Sequence, residues 1–424
     1  MTLIGRALAL PEQVLWPIYL IIKTTPFYIL FPLFVVFCLV AFLVLYVFLH
    51  HIAPKPRLPF PSEKTYVTTT PDGGQATRQL PCWYDRWLAE RKKLELAKGF
   101  DITDTGVVEP AEVAMSVVVP AYNEEERITS MLEEAVQYLD EAFGRPETKN
   151  GLLSPRTGHS TPVVVVVQGG SEKLVPSSPV SRGRSPEGTS GYEIIIVNDG
   201  SKDRTVEVAL EFAEKNNLHD IVRVITLEKN RGKGGGVAHG LRHVRGEYVV
   251  FADADGASKF SDLGNLLEGL EEVVDGSHRG VAIGSRAHMV ESEAVVKRSA
   301  LRNFLMRSFH LVLTILTPPA TSRIRDTQCG FKLFSRAALP HIVPYMHVEG
   351  WIFDIEMLML AESAPDSPIL GTGGVVIGQS PGIKVAEVPI HWHEVGGSKA
   401  KDDLRKSMGR GWRWMRVMSI EDEE

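Results

Sequence analysis

Two carboxylates separated by one residue end an apolar run in the middle of the chain. Asp253 and Asp255 follow residues 248–252, YVVFA. In an extended chain, residues i and i+2 point to the same face, so the two carboxylates repel unless a cation lies between them. Hard divalent cations such as Mg²⁺ and Mn²⁺ prefer carboxylate oxygens and often complete their shell with phosphate oxygens. The spacing therefore predicts a metal site that also takes a diphosphate.

Two further polar clusters follow strand-like runs. Residues 120–124, PAYNE, follow SVVV, and residues 198–201, NDGS, follow YEIIIV. Open parallel α/β sheets bind ligands beyond the carboxyl ends of their strands, so both clusters are candidates for a ligand crevice. A structural role is equally consistent with the spacing, since Asn123 with Glu126 would form a helix capping box and Ser201 would cap the next helix.

A glycine-rich stretch, NRGKGGG at residues 230–236, adds a candidate anion site. Glycines allow the backbone to approach a ligand closely, and a following helix N-terminus favours anions. The stretch is not a Walker loop, because Leu227 stands where a glycine is required and Gly234 follows Lys233. A dinucleotide fingerprint is also excluded, because the stretch follows the third predicted strand and lacks the glycine spacing.

Alternating strand and helix patterns from residue 115 onward position these clusters. Such alternation predicts an α/β fold with a mainly parallel sheet, right-handed crossovers and helices on both faces. We place this domain at residues 115–400. Residues 144–191 are rich in Ser, Pro and Gly and predict a flexible insertion, in which the valine run 163–167 is a candidate edge strand. Residues 371–382 are predicted to form a loop.

The N-terminal region contains an uncharged apolar run, residues 27–49. As a helix it reaches about 35 Å, which is enough to cross a bilayer. A cleavable signal peptide is the alternative, but its apolar core is about half as long. We therefore expect residues 1–52 to be a transmembrane anchor and residues 53–114 a juxtamembrane linker. Basic residues slightly favour a cytosolic main body; they are Lys55, Arg57 and Lys64 after the run and Arg6 and Lys23 before it.

Composition limits the remaining function classes. The formal net charge of −6 argues against a nucleic-acid partner, since such domains usually carry a basic excess. The three cysteines, Cys38, Cys82 and Cys329, lie far apart, so neither a disulfide framework nor a zinc site is indicated. This cysteine usage is typical of a reducing compartment.

Eight motifs in order identify a family resemblance: VVVPAYNEEERI, IIIVNDGSKDRT, NRGKGGGVAHG, FADADGASKF, GSR, DTQCGFKLF, EGWIFDIEML and EVPIHWHEVGGSK. This set resembles family-2 glycosyltransferases of the A-type nucleotide-sugar fold (GT-A), and within them the enzymes that glucosylate dolichyl phosphate. The resemblance covers the anchor and nearly all of residues 115–400. It implies a Rossmann-like transferase domain, UDP-glucose as donor, dolichyl phosphate as acceptor and Mg²⁺ or Mn²⁺ as cofactor.

The resemblance also implies roles for individual residues. Asp255 is the main metal ligand and Asp253 assists it while positioning the nucleotide. Asp199 and Glu124 hold the uracil and ribose end. The remaining residues implied to bind the nucleotide sugar are Pro120, Tyr122, Lys233 and Ala254.

On the acceptor side, the resemblance implies that Arg286 is a catalytic residue and that it binds the acceptor phosphate together with Lys399. The alternative interpretation of Arg286 is a surface arginine with no role in the reaction. The phosphate nucleophile is already ionised and attacks glucose C1 with inversion, so no strong general base is needed. Asp354 or Glu356 is then a positioning residue, or alternatively an acid stabilised at a helix N-terminus.

One departure from related mannosyl transferases concerns the metal. Ala257 occupies a position where their side-chain oxygen assists the ion, so water or diphosphate must complete the shell. Direct metal binding by His391, His393 and Glu394 is an alternative on spacing. We favour a location of that stretch on the acceptor side, with Ser398 and Lys399 near a phosphate.

A polyprenyl acceptor keeps its tail in the bilayer, so the catalytic body must lie against the membrane. Residues 300–319, and the basic-aromatic tail within 401–424, have compositions suited to this, although the former also fits a buried helix. Together with the resemblance, these features imply a single-pass endoplasmic reticulum membrane enzyme with a cytosolic catalytic domain; they assign no oligomeric state. Transfer of mannose from GDP-mannose is one alternative. A silent membrane scaffold is another, but it has no need of the costly Asp253 and Asp255 pair.

Overall fold

The computed structural model describes residues 24–52, 57–96, 108–146, 189–290, 317–350, 352–370, 376–393 and 395. The chain divides into two compact units, Met1–Pro56 and Arg57–Glu424.

The N-terminal unit contains one long helix, α1 (Phe27–Ile52). Its 26 residues span about 39 Å, and the uncharged stretch Phe27–Phe48 is long and apolar enough to cross a bilayer. Large apolar side chains point outward around the helix, including Phe27, Phe37 and Phe42, each more than two thirds exposed. The predicted helical span is therefore present as a helix.

The second unit is built on a nine-stranded mixed sheet in the order β11-β7-β8-β6-β3-β4-β5-β1-β2. Its centre is parallel, whereas β8 runs antiparallel to β6 and β7, and β1 runs antiparallel to β2 and β5. A separate hairpin pairs β9 with β10. The strands are β1 (Thr65–Thr69), β2 (Gln75–Gln79), β3 (Val113–Ala121), β4 (Tyr192–Asn198), β5 (Val222–Thr226), β6 (Gly246–Ala252), β7 (Val281–Ser285), β8 (Phe331–Ser335), β9 (Ser367–Leu370), β10 (Val376–Ser380) and β11 (Val385–Pro389).

Helices cover both faces of this sheet, as the alternating pattern predicts. Successive residues of β3 point to opposite faces, so Val117 and Val119 join one buried core while Val118 joins the other. Within its described residues, the second unit has the helices α2 (Trp83–Leu96), α3 (Ile128–Ala142), α4 (Thr205–Lys215), α5 (Gly232–Leu241), α6 (Leu263–Val273), α7 (Ala287–Val290), α8 (Pro319–Arg323), α9 (Leu339–Ile342) and α10 (Phe353–Glu362).

The prediction of a linker at residues 53–114 is wrong for residues 61–96, which contain β1, β2 and α2. β1 and β2 extend the main sheet, and Trp83 and Trp87 of α2 are buried in the core on one face. The sequence does not predict β1 as a strand, because TYVTT is short and polar. β1 is part of the sheet through its pairing with β5. The predicted loop at 371–382 likewise contains β10.

Several predicted segments fall outside the described residues. They are most of the insertion 144–191 with its valine run, most of the segment 300–319, and the tail 401–424.

Candidate functional site

The three predicted polar clusters follow neighbouring parallel strands. β3 pairs with β4 on one side and β6 on the other, and Ala121 lies opposite Asn198 at the strand ends. Parallel strands place their carboxyl ends at one edge of a sheet, so the clusters meet there. The structure thus brings together the regions of Glu124, Asp199 and Asp253, as the sequence pattern predicts.

Asp253 has a cationic partner. Its Oδ1 lies 2.6 Å from Lys233 Nζ, which comes from the first turn of α5. Burial lowers the pKa of Lys233, but the carboxylates of Asp253, Asp354 and Asp255 outweigh burial and hold that pKa above its ordinary value. Lys233 therefore stays charged between the carboxylates, and a cation does lie beside the Asp253 and Asp255 pair.

Gly330 fixes Asp253 from the other side. The Asp253 backbone N donates to Gly330 O at 3.1 Å. A Cβ at position 330 would lie 1.9 Å from Asp253 Oδ2, which is far inside van der Waals contact. Only glycine at position 330 therefore leaves room for this carboxylate.

Asp255 is more open. Its Oδ1 accepts a hydrogen bond from Ala257 N at 3.0 Å, and its Oδ2 lies 3.9 Å from Arg127 Nη1. The side chain is 30% exposed, so one carboxylate oxygen faces solvent with only a distant cation beside it. Ala257 thus contributes a backbone amide that orients Asp255.

Glu124 lies next to this pair and is half-buried. Arg127 Nη2 lies 2.6 Å from Glu124 Oε2, and both side chains are less than 15% exposed. Burial raises the pKa of Glu124 to about 7, with Arg127 opposing that shift and Asp255 and Asp253 adding to it. Glu124 is therefore a carboxyl group that titrates near neutral pH.

Loop residues after β3 and β4 are interlocked by side-chain hydrogen bonds. Asn123 N donates to Ser201 Oγ at 3.0 Å, Glu124 N donates to Thr205 Oγ1 at 2.8 Å, and Lys202 N donates to Asn123 Oδ1 at 2.8 Å. The capping interpretations are wrong: α3 and α4 begin at Ile128 and Thr205, and neither has a side-chain cap. Asn123 instead adopts a φ of 56°, which suits its role as a tie between loops.

Asp199 is buried, 4% exposed, at the end of β4. Its Oδ1 accepts a hydrogen bond from Arg231 N at 2.6 Å, and its carbonyl accepts from Asn230 Nδ2 at 2.8 Å. Burial raises the pKa of Asp199 to about 6, against the backbone hydrogen bonds from Arg231 and Gly232. The glycine-rich stretch therefore holds Asp199 in place.

Most glycines of that stretch pack against protein. A Cβ on Gly234 would lie 2.7 Å from Val348 O and from Phe353 Cβ, and one on Gly232, whose φ is +76°, would lie 2.7 Å from Glu349 O. The sequence predicts that these glycines let the backbone approach a ligand. In the structure they instead let α5 approach residues 348–353, at the start of α10.

The other residues implied to bind the nucleotide sugar lie on the same edge. Pro120 is near the end of β3, Tyr122 follows it half-buried, and Ala254 is buried between Asp253 and Asp255.

Arg286 follows β7 and is held by protein groups. Its Nε and Nη2 donate to the two oxygens of Asp326 at 2.7 and 2.8 Å, and its guanidinium lies 5.5 Å from the ring centre of Trp392. The hydrogen bonds to Asp326 raise the pKa of Arg286, so it remains a cation. Its side chain is 33% exposed, which leaves one side of the guanidinium open.

Asp354 and Glu356 have structural partners. Asp354, 3% exposed, forms an ion pair with the fully buried Lys332, whose Nζ also donates to Cys329 O at 2.6 Å. Burial raises the pKa of Asp354 against the opposing effect of Lys332 and Lys233. Glu356 accepts hydrogen bonds from the backbone of residues 347 and 348, at 2.9 to 3.0 Å.

The HWH stretch borders the site through its backbone. Lys259 N donates to His391 O, and His393 N donates to Ala257 O. His391 Nδ1 lies 3.1 Å from Asp262, and within the described residues no group of three His, Cys, Asp or Glu side chains is arranged to hold a metal. Glu394, the third residue of the alternative histidine metal site, lies outside the described residues, as do Ser398 and Lys399, so that alternative stays a prediction.

Sequence reasoning missed four residues that shape this edge: Arg127, Asp326, Gly330 and Lys332. Each occurs inside a motif that was quoted for the resemblance, in EERI or DTQCGFKLF. Their spacing carries no signal, because the contacts of Arg127 with Asp255, Asp326 with Arg286, Lys332 with Asp354 and Gly330 with Asp253 join residues at least 22 positions apart.

A glycosyl transferase family 2 model matches residues 186–340. The dolichyl-phosphate beta-glucosyltransferase of Saccharomyces cerevisiae is 36% identical over 379 residues, covering 88% of this chain and 86% of the yeast protein. That of Homo sapiens is also 36% identical, covering 73% of this chain and 76% of its own length.

Among solved structures, glucosyl-3-phosphoglycerate synthase from Mycobacterium tuberculosis, in complex with Mg²⁺ and UDP, is similar with a TM-score of 0.37 and 16% identity. This match covers 74% of this chain and 78% of that one. The sequence relatives carry the assignment: the chain belongs to the dolichyl-phosphate beta-glucosyltransferases of glycosyl transferase family 2.

Proposed function

We propose that this protein transfers glucose from UDP-glucose to dolichyl phosphate, with inversion at C1, giving dolichyl β-D-glucosyl phosphate and UDP. The observation that carries the proposal is the meeting of Asp253, Asp255, Glu124 and Asp199 at the carboxyl ends of adjacent parallel strands. The acceptor and the sugar come from the names of the relatives. The donor nucleotide comes from the family resemblance.

A divalent cation fits the residues at this edge. Asp253 and Asp255 are each about 30% exposed and offer hard oxygen ligands. Because no third carboxylate or imidazole joins them in the described residues, diphosphate oxygens and water would have to complete the shell, which is the coordination that Mg²⁺ favours. When bound, the cation would neutralise charge on the departing diphosphate.

Lys233 and Arg127 would act with this pair. Lys233 Nζ is 2.6 Å from Asp253 and stays protonated, so it would offer a positive charge to a diphosphate oxygen at this edge. Arg127 is shared between Glu124 and Asp255 and keeps both side chains aimed at the edge. Asp199 and Glu124 would hold the nucleoside.

The acceptor needs orientation more than deprotonation. Dolichyl phosphate is already an anion, so its oxygen attacks C1 without a general base. Arg286, fixed in orientation by Asp326 and Trp392, has an open side that suits a phosphate. Asp354, held by Lys332, would act by keeping Lys233 charged beside Asp253. Lys399 is proposed to assist at the acceptor phosphate.

The proposal includes a membrane location. α1 would anchor the chain in the endoplasmic reticulum membrane as a single span with the catalytic unit in the cytosol, where it would supply glucose for lipid-linked oligosaccharides in N-glycosylation. A bilayer location supports an acceptor whose polyprenyl tail cannot leave the lipid.

The test is sugar transfer by the full chain in detergent with radiolabelled donor. Dolichyl phosphate is offered with UDP-glucose or GDP-mannose, each with Mg²⁺, Mn²⁺ or excess chelator. We expect labelled lipid from UDP-glucose alone, and loss of labelling with chelator. Labelling from GDP-mannose would overturn the donor, chelator-resistant labelling would overturn the metal, and no labelling from either donor would favour a silent scaffold.

A further inference from the structure

A fully buried glutamate lies just after the N-terminal unit. Glu63 belongs to the short 3-10 helix Pro61–Lys64 and has no exposed surface. Its Oε2 accepts hydrogen bonds from Arg231 Nη2 at 2.7 Å and Phe60 N at 2.9 Å, and its Oε1 accepts from Glu228 N at 3.0 Å. Two of these three contacts, those from Arg231 and Glu228, therefore join Glu63 to the segment that leads into α5.

Arg231 continues the connection toward the candidate nucleotide site. Its side chain, like Glu63, is buried, and it also donates to Arg57 O at 3.4 Å and Leu58 O at 3.1 Å. Its backbone N donates to Asp199 Oδ1 at 2.6 Å. The guanidinium and the amide of one residue thus link Glu63 to Asp199.

Two outer contacts strengthen this link. Arg57 Nη2 lies 2.8 Å from Glu349 Oε2, and Glu349 O accepts a hydrogen bond from Gly235 N at 3.1 Å. His239 Nε2 lies 2.9 Å from Glu63 O. Residues 57–63 are therefore connected to the first turns of α5 through Glu349 and to its last turn through His239.

We propose that Glu63 and Arg231 are positioning residues for the nucleotide: the buried ion pair fixes the backbone amide of Arg231, which donates to Asp199. The inference rests on the proposed function, because Asp199 is assigned there to the nucleoside. It adds that the segment following the anchor sets the affinity for the donor, without touching donor or acceptor.

If the ion pair of Glu63 and Arg231 had only a structural role, removing the carboxylate would lower the stability of the fold and leave the affinity for UDP unchanged. Removing one partner of a buried pair is destabilising wherever the pair lies, so stability alone does not distinguish the two roles. The chain provides a matched control in Glu193, which is also fully buried and paired with Arg245 at 2.8 Å and Arg223 at 3.1 Å. Glu193 lies near the start of β4, whereas Asp199 follows its end. Loss of either carboxylate leaves a buried arginine without full charge compensation.

The experiment compares Glu63→Gln with Glu193→Gln in the full-length protein. UDP binding with Mg²⁺ is measured by calorimetry, and kcat and KM are measured for UDP-glucose and dolichyl phosphate. For Glu63→Gln we expect the Kd for UDP and the KM for UDP-glucose to rise about tenfold, with kcat and the KM for dolichyl phosphate within about twofold. For Glu193→Gln we expect a lower melting temperature and an unchanged Kd for UDP.

The proposal is overturned if both variants bind UDP as the parent does, or if both lose affinity equally. If Glu63→Gln does not fold, Arg231→Lys takes its place, because lysine keeps the charge but cannot contact Glu63 and the two carbonyls together. Calorimetry does not require turnover, so a parent protein that binds UDP but transfers no glucose would refute the proposed function and leave this inference testable.

Discussion

Two carboxylates for which the family resemblance implies a role at the site, Asp255 and Asp354, have opposite surroundings. Asp255 is 30% exposed, receives one backbone hydrogen bond, and has its nearest cation, Arg127, at 3.9 Å. Asp354 is 3% exposed and is paired with the fully buried Lys332. Only the first has an oxygen that a ligand can reach without displacing an existing partner.

This difference separates two kinds of function in residues of one chemical type. A carboxylate with a partly uncompensated charge at a strand end is available for a metal or diphosphate complex. A carboxylate that neutralises a buried lysine is required by the fold, since removal of either partner leaves an unpaired buried group.

The largest effect is expected for Asp255→Asn. The amide keeps the shape and can still accept from Ala257 N, but it removes the charge that a cation requires. Transfer of glucose should fall by at least about 100-fold, and Mn²⁺ should no longer raise the melting temperature. Glu272→Gln, an exposed change on α6, is the matched control and should leave both quantities unchanged. Retained activity in Asp255→Asn would remove this residue from the metal site.

Asp354→Asn should act mainly on stability. It leaves Lys332 charged and buried without its counter-ion, and we expect the free energy of unfolding to fall by about 3 kcal/mol. Replacing both partners, as Lys332→Met with Asp354→Leu, should recover most of that loss. Urea unfolding in detergent followed by tryptophan fluorescence measures both. If Asp354→Asn abolishes transfer with stability unchanged, Asp354 belongs with Asp255 as a group that acts on ligands.

A smaller effect on activity is expected for Gly330→Ala. The added Cβ collides with Asp253, which must shift by about 1 Å or more, and misplacement on that scale is expected to lower kcat/KM by about tenfold or more. Gly350→Ala is the control, because a Cβ there meets nothing within 4 Å. Equal activity in the two variants would show that Asp253 needs no fixed position.

The sequence predicts the α/β class, the parallel centre of the sheet and the edge where the polar clusters meet, because these follow from strand periodicity and from chain order. It does not predict how side chains distant in sequence pair. Lys332 and Asp354 become partners only when β8 inserts beside β6 and α10 packs against it, as the contact of Phe251 with Phe353 shows.

The missed part of the fold has a similar explanation. Residues 65–79 lack an apolar run, and they become strands only because β5 offers an edge and Thr68 Oγ1 donates to Val222 O. For the glycine-rich stretch, residues 230–236, the sequence predicts a ligand contact where the structure has packing within the protein. Its composition suggests backbone contact with a phosphate, whereas Gly232 and Gly234 meet Glu349, Val348 and Phe353 of the same chain.

The smallest effect concerns Glu124, which is intermediate between the two carboxylates in exposure. Burial raises its pKa from 4.5 in the unfolded chain to about 7 in the folded protein. Between these values the folded state binds more protons, so this residue's contribution to stability is complete below pH 4.5 and is lost as pH rises through about 7. In metal-free buffer, the free energy of unfolding of Glu124→Gln relative to that of the parent should therefore rise by about 1 kcal/mol from pH 5 to pH 8. Chemical unfolding of both proteins at the two pH values measures this difference. A parent that instead gains stability with pH relative to Glu124→Gln would mean that Arg127 dominates, and Glu124 would then join Asp354 as a carboxylate neutralised by its partner.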